Sequence, residues 1–236
     1  MKIAILSDIH GNHYALEQVL LDAKKHKIEK LLILGDIVGY YYYPDRVLSL
    51  LDCWNYDFVR GNHEVLLKRV LNGDMKISTL TKKYGSGHEF ALNNLTNNQL
   101  DYLINSPDKK ELIFDEVKVL ICHGSNWDPN YYLYPDTEKE ILDRTGEAKT
   151  DFVFVGHSHH TFVHKNKTNT LINVGSVGQS RKKGGIANWV MLDSNDKSFE
   201  IKETKYDTST LISDIKKLDP KNEYLIKVLK RNSNEK

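Results

Sequence analysis

Short apolar runs that stop abruptly at polar residues recur along the chain. Residues 2–6 form one such run, and it ends at Ser7-Asp8. Residues 31–34 end at Gly35-Asp36, and residues 56–59 end at Arg60-Gly61-Asn62-His63. Apolar runs this short, bounded by turn residues, suit buried strands. Between the first two, Leu16, Val19, Leu20 and Ala23 recur at helical spacing, and Asn12 stands where it can cap that helix. Strands alternating with helices predict a largely parallel sheet. Residues 65–105 read as helical, with breaks at Gly73 and at Gly85-Ser86-Gly87. The texture then changes to short strands between turns, over residues 111–114, 117–122, 152–155, 161–164, 170–174, 187–192 and 198–203. Residues 208–218 form a last predicted helix. Two sheets packed face to face with helices outside accommodate this pattern.

Composition narrows the class. The chain has 236 residues, 40% apolar and 28% charged, which suits one folded domain. We expect that domain over residues 1–224 and a frayed tail, rich in Lys and Asn, over residues 225–236. A net charge of +1 makes no demand for nucleic acid or an anionic membrane. No apolar run approaches the roughly 18–20 residues that span a bilayer. The N-terminal run reaches Asp8 too soon for a signal peptide, so a cytoplasmic protein is expected. Cys53 and Cys122 are too few for a disulfide scaffold, and both read as buried free thiols.

The polar residues at the strand ends carry the chemistry. Asp8 and His10 follow the first strand, Asp36 the second, and Asn62-His63 the third. His123 follows the strand ending at Cys122, and His157-Ser158-His159 follows residues 152–155. Most stand beside a glycine: Gly11, Gly35, Gly61, Gly124 and Gly156. Ligands of open α/β sheets bind outside the carboxyl ends of the strands, where these endings could converge. Imidazole and carboxylate donors suit zinc, iron, manganese or nickel. The pairs Asp8/His10 and His157/His159 are spaced i, i+2, which in an extended segment puts both side chains on one face. Asp8, His10, Asp36, Asn62, His123, His157 and His159 are too many donors for one tetrahedral site. Two ions sharing a carboxylate is the economical arrangement, with Asp36 as the bridge. Such a pair clamps a phosphoryl group and acidifies a bound water, and the resulting hydroxide attacks phosphorus in line. His63 is then placed to act as a general acid for the leaving oxygen.

The order Asp8-Ile9-His10, Gly35-Asp36, Gly61-Asn62-His63, His123-Gly124 and Gly156-His157-Ser158-His159 resembles the calcineurin-like metallophosphoesterases. The stretch from Asn173 to Gln179 resembles the small bacterial and archaeal phosphodiesterase branch. The likeness covers roughly residues 1–179. It implies an α/β fold, a four-layer α/β/β/α sandwich of two mixed sheets with a dimetal site at the strand ends. It also implies one ion on Asp8, His10, Asp36 and His159, and a second on Asp36, Asn62, His123 and His157. His63 matches the family's catalytic histidine that is not a ligand. Manganese is the ion expected, with iron, nickel or zinc also suited. Protein phosphatases of the superfamily carry G-D-x-V-D-R-G after the bridging Asp, whereas this chain has Gly35-Asp36-Ile37-Val38-Gly39-Tyr40-Tyr41. The phosphate-holding arginine is missing, which favours a phosphodiesterase over a protein phosphatase.

Other features admit two readings. The tyrosines at positions 40–43 either pack as a loop on the next helix or line the site, with Tyr41 the substrate-contact candidate. Tyr131, Tyr132 and Tyr134 form a second aromatic group with the same choice. The basic loop Arg181-Lys182-Lys183 is a solvated turn or an anion contact through Arg181. His13, His88 and His160 match no motif and read as surface or supporting positions. The function expected is phosphoester hydrolysis on a small-molecule or nucleotide-like substrate. A nuclease on DNA or RNA is not favoured, because no extended Lys/Arg stripe exists. A scaffold of the same fold that has lost catalysis would have lost part of the donor set, which is complete here.

Overall fold

The computed structural model describes residues 1–146 and 149–232. β1 (Lys2–Leu6) leads into α1 (His13–Lys25), β2 (Lys30–Ile33), α2 (Pro44–Leu51) and β3 (Tyr56–Phe58). Four helices follow: α3 (Asn62–Leu71), α4 (Ile77–Tyr84), α5 (Gly87–Asn94) and α6 (Asn97–Asn105). Then come β4 (Lys109–Phe114), β5 (Val117–Cys122), α7 (Lys139–Thr145), β6 (Phe152–Val155), β7 (Phe162–Lys165) and β8 (Thr170–Asn173). The hairpin β9 (Ile186–Asp193) and β10 (Ser198–Lys205) precedes α8 (Ser209–Leu218) and α9 (Glu223–Leu229).

The strands form two five-stranded mixed sheets, ordered β10-β9-β1-β2-β3 and β4-β5-β6-β8-β7. β1, β2 and β3 are parallel, as the alternation of strand and helix predicts. The sheet is nonetheless mixed, because the β9–β10 hairpin adds antiparallel to β1 on its other side. In the second sheet β5, β6 and β8 run parallel, with β4 and β7 antiparallel at its edges.

Period-two alternation fixes the layers. Ile3 and Ile5 of β1 and Leu32 of β2 join Val119, Ile121, Phe152 and Phe154 in one core between the sheets. The alternate residues Ala4, Leu6, Leu31 and Ile33 face a second core with Leu16, Val19 and Leu20 of α1. Leu120, Cys122, Val153 and Val155 face outward onto Leu142 of α7. Central strands buried on both faces are apolar at nearly every position, which is why they stand out as uninterrupted runs. Asn12 caps α1 as expected, its side chain accepting from the Ala15 N–H at 3.1 Å.

Two expectations need correction. Residues 225–229 are not frayed: they belong to α9, whose Leu225, Val228 and Leu229 are buried. Apolar spacing inside a Lys-rich segment packs that helix onto the body, and the tail from residue 233 lies outside the described residues. Cys53 is exposed just beyond α2, and only Cys122 is buried. No helix among the described residues is long and apolar enough to cross a membrane.

Candidate metal centre

All seven predicted donors sit just beyond the ends of β1, β2, β3, β5 and β6, and the structure gathers them into one buried cluster. Asp8, His10, Asp36, His123, His157 and His159 are each at most 4% exposed. The backbone achieves this differently from the extended i, i+2 geometry expected. Asp8, His10, Asp36, His157 and His159 all have φ between 53° and 64°, in the left-handed region that L residues rarely adopt. They are five of the nine such residues other than glycine among those described, so local strain is concentrated at this centre. Backbone hydrogen bonds hold it: Asp8 N–H donates to Gly35 O at 3.1 Å and His10 N–H to Asp36 O at 2.8 Å.

Each of the four imidazoles has one nitrogen on a backbone carbonyl. His10 Nδ1 lies 3.0 Å from Val38 O, and His123 Nδ1 lies 2.6 Å from Leu34 O. His157 Nε2 lies 3.1 Å from Asn130 O, and His159 Nδ1 lies 2.7 Å from Gln179 O. A carbonyl only accepts, so those nitrogens carry the protons and the opposite nitrogens present lone pairs. The bare nitrogens face one another: His10 Nε2 is 3.2 Å from His159 Nε2, and His123 Nε2 is 3.0 Å from His157 Nδ1. Asp8 Oδ1 is buried, 3.0 Å from His159 Nε2, and among the described residues no well-aligned hydrogen bond reaches it. Asn62 Oδ1 lies 3.0 Å from His123 Nε2. Where these rings are neutral, facing lone pairs and a carboxylate oxygen in a dry cluster repel unless a proton or a metal cation lies among them. The donor set therefore fits a divalent metal.

Asp36 stands at the middle. Its Oδ2 is 3.2 Å from His123 Nε2 and 3.8 Å from His10 Nε2, while its Oδ1 accepts the His63 N–H at 2.8 Å. Burial alone would raise both carboxyls. The imidazoles of His159 and His10 outweigh it at Asp8, and those of His123 and His63 outweigh it at Asp36, so both stay well below the carboxylate range. Burial would lower His123, yet Asp36 and Asp8 push it up to about 10. His157 is pushed down to about 3 by burial and by its neighbour His123. The carboxylates thus draw positive charge into a site that resists protons elsewhere.

The profile of the calcineurin-like phosphoesterase superfamily domain matches residues 1–197. The chain belongs to that superfamily. An uncharacterised protein of Methanocaldococcus jannaschii is 34% identical over 232 residues, spanning 87% of this chain and 88% of its own. A hypothetical protein of Pyrococcus horikoshii has the same fold at a TM-score of 0.84 and 21% identity, covering 100% of this chain and 99% of its own. So does a metallophosphoesterase of Sphaerobacter thermophilus, at a TM-score of 0.77 and 24% identity, with 97% and 98% covered.

Around the donors of this phosphoesterase fold, the other predicted contacts separate. Tyr41 is fully buried in the core and cannot meet a substrate, so that expectation is wrong. Gly11, whose own N–H donates to Ile37 O, lets the Tyr41 backbone come close, where any side chain at position 11 would overlap it. Tyr40 is the loop residue at the centre: its ring lies 4.7 Å from that of His10 and 5.0 Å from that of His63. Tyr132, 44% exposed, rests on His157 at 3.8 Å, whereas Tyr131 turns away onto Trp127. Arg181 is half-buried near Tyr224, Tyr40, Tyr132 and Asp8. Its Nε is buried with no hydrogen-bond partner, and among the described residues no carboxylate pairs with it.

One residue escaped sequence reasoning, and a second was read only as a surface or supporting position. Glu64 is fully buried and accepts from the N–H groups of Gly61, Asp36, Ile37 and Val38, at 2.7, 2.9, 2.9 and 3.2 Å. It ties the first turn of α3 to the loop bearing Asp36, and burial with the nearness of Asp36 pushes its carboxyl up to about 7. A Glu three residues after Gly61 is the available sequence signal, that of a helix N-terminus. His88, read as a supporting position, is fully buried with its Nε2 3.2 Å from His63 Nδ1.

Proposed function

We propose that this chain hydrolyses a phosphoester with two divalent ions, manganese first among those the donors accept. The observation that carries the proposal is the position of Asp36 Oδ2, between His10 Nε2 on one side and His123 Nε2 on the other. Asp8, His10, Asp36 and His159 would hold one ion, and Asp36, Asn62, His123 and His157 the other. When bound, such a pair neutralises phosphoryl charge and acidifies water at neutral pH.

The chain's own groups supply the rest. Four carbonyl-anchored imidazoles keep the donors fixed without reorganisation. His63 lies against the donors, its ring 4.9 Å from that of His10, and its backbone is pinned to Asp36 Oδ1. As water adds to phosphorus and the bond to the leaving oxygen breaks, His63 gives that oxygen a proton, and the proton shed by the water restores it. Arg181 offers a guanidinium to the phosphoryl oxygens in place of the missing arginine. Tyr132 offers a ring to a flat group on the substrate, such as a base. A free thiol exposed at Cys53 fits a reducing, cytoplasmic setting.

The test is a substrate panel on manganese-loaded protein, with metal counted on the same sample. Bis-p-nitrophenyl phosphate, p-nitrophenyl phosphate, cyclic nucleotides, dinucleoside polyphosphates, phosphopeptides and single-stranded nucleic acid span the alternatives. Turnover of small esters that a chelator abolishes supports the proposal. Full metal loading without turnover of any member would overturn it in favour of a scaffold.

A further inference from the structure

His63 is enclosed on every side that the described residues reach. Tyr84 lies 4.7 Å away ring to ring, Tyr40 5.0 Å and His10 4.9 Å. Beneath it, any side chain at position 39 would overlap His63 Nδ1, so Gly39 leaves that nitrogen room but no partner. Among the described residues, the one hydrogen-bonding group that Nδ1 meets is His88 Nε2, at 3.2 Å. The two rings are parallel within 10°, with centroids 5.0 Å apart. His88 sits in the first turn of α5, and Gly87 presses that turn against the Tyr40 backbone.

We infer that His88 is a positioning residue for His63, fixing where its ring points and which of its nitrogens is left for a leaving oxygen. Nδ1 is engaged by His88 Nε2 and closed in at Gly39, so Nε2 is the nitrogen that remains to meet a substrate atom. The kinetic consequence rests on the reading of His63 as the acid; the placement of the ring does not.

Two variants separate the hydrogen bond from the packing. His88→Phe keeps a ring and removes the hydrogen-bonding nitrogen, whereas His88→Gln keeps a hydrogen-bonding amide at similar reach. Nitrogen-15 NMR of the histidine side chains, on metal-free or zinc-loaded protein, reads the hydrogen bond directly as a coupling between the two nitrogens that share its proton. The wild type should show that coupling between His63 Nδ1 and His88 Nε2. His88→Phe should shift the His63 Nδ1 signal, and His88→Gln should bring it back toward the wild-type position. In turnover, His88→Phe should lower kcat for a phenyl ester by about 10- to 100-fold, since general acid catalysis contributes on this scale or above it. The p-nitrophenyl ester, whose leaving group needs little protonation, should change far less, with KM similar for both. Absence of that coupling in the wild type, or equal losses on both esters, would overturn the inference. A wild type that turns over neither ester sinks the hydrolase reading instead, while the NMR signal still decides His88.

Discussion

His10 Nε2 and His159 Nε2 stand 3.2 Å apart with no proton to share, because each ring has its Nδ1 on a backbone carbonyl. A cation between them turns that repulsion into binding energy, so metal should stabilise the fold. We expect chelator-treated protein to unfold at a lower temperature than manganese-loaded protein. Ligand at about 100 times its Kd contributes about 2.7 kcal/mol. Thermal unfolding with and without chelator checks this, and superimposable curves would count against a metal in the cluster.

The proposed function gives the neighbours Asp36 and His63 different tasks, and substitution should separate them. If Asp36 is shared by two ions, Asp36→Asn removes one charge from that carboxylate, so metal content should fall below two per chain and activity to background. His63→Ala should leave metal near two per chain while kcat drops by about 100-fold or more. Elemental analysis and steady-state kinetics on the same samples decide it. Loss of metal in His63→Ala would make that residue a ligand, a role open to it because His10, Asp36 and His63 also converge.

Most of the fold and of the candidate donor cluster is legible in the sequence for one reason. Strands buried on both faces are apolar at nearly every position, so Asp8, Asp36 and His123 appear as interruptions at their ends. What stayed hidden depends on contacts between distant segments. Tyr40 and Tyr41 are adjacent and chemically identical, and only the turn at Gly39-Tyr40 decides which reaches the donors. His88 carries no motif, because its role exists only through the meeting of α5 with α3. α9 was missed because its apolar residues are scattered among lysines and its partner surface is remote in sequence. The left-handed donors were likewise unreadable, since no residue type other than glycine announces a positive φ.

Tyr41 and Tyr132 should respond to substitution in opposite ways. Tyr41 is fully buried, so Tyr41→Ala opens a cavity and should cost about 3–5 kcal/mol of stability. KM in the molecules that remain folded should be little changed. Tyr132→Ala should leave stability nearly intact and raise KM for a nucleotide substrate more than for p-nitrophenyl phosphate, given stacking of about 1–3 kcal/mol per base. Denaturation midpoints and KM values for both substrates are the measurements, and equal KM effects on both substrates would rule out stacking.

Arg181 lacks a carboxylate partner among the described residues, so its charge is free for an anion. Arg181→Ala should weaken competitive inhibition by inorganic phosphate by about 10-fold, the worth of one charge-assisted hydrogen bond. Arg181→Lys should recover only part, because an ammonium cannot present a planar fork. Inhibition constants for phosphate check this; a value unchanged in Arg181→Ala removes Arg181 from the site.

His13 gives the fold a pH dependence that can be isolated from the metal centre. It is 8% exposed, its ring 3.9 Å from that of Tyr14, with Arg46 3.4 Å from its Nε2. Burial and the Arg46 charge push it down from 6.5 to about 4. Above pH 6.5 both folded and unfolded chains hold it neutral, and it adds no pH dependence. As pH falls from 6.5 toward 4 the unfolded chain takes up a proton that the folded chain refuses, so stability declines across that window. Below about 4 both forms are protonated and the loss levels off. His13→Gln removes this contribution, on the order of 2 kcal/mol over the window. Denaturant unfolding at pH 7.5, 5.5 and 4.5, on wild type and variant in parallel, should therefore show a shallower decline in the variant. Parallel declines would mean that His13 titrates alike in both states and that its packing against Tyr14 and Arg46 does not exclude the proton.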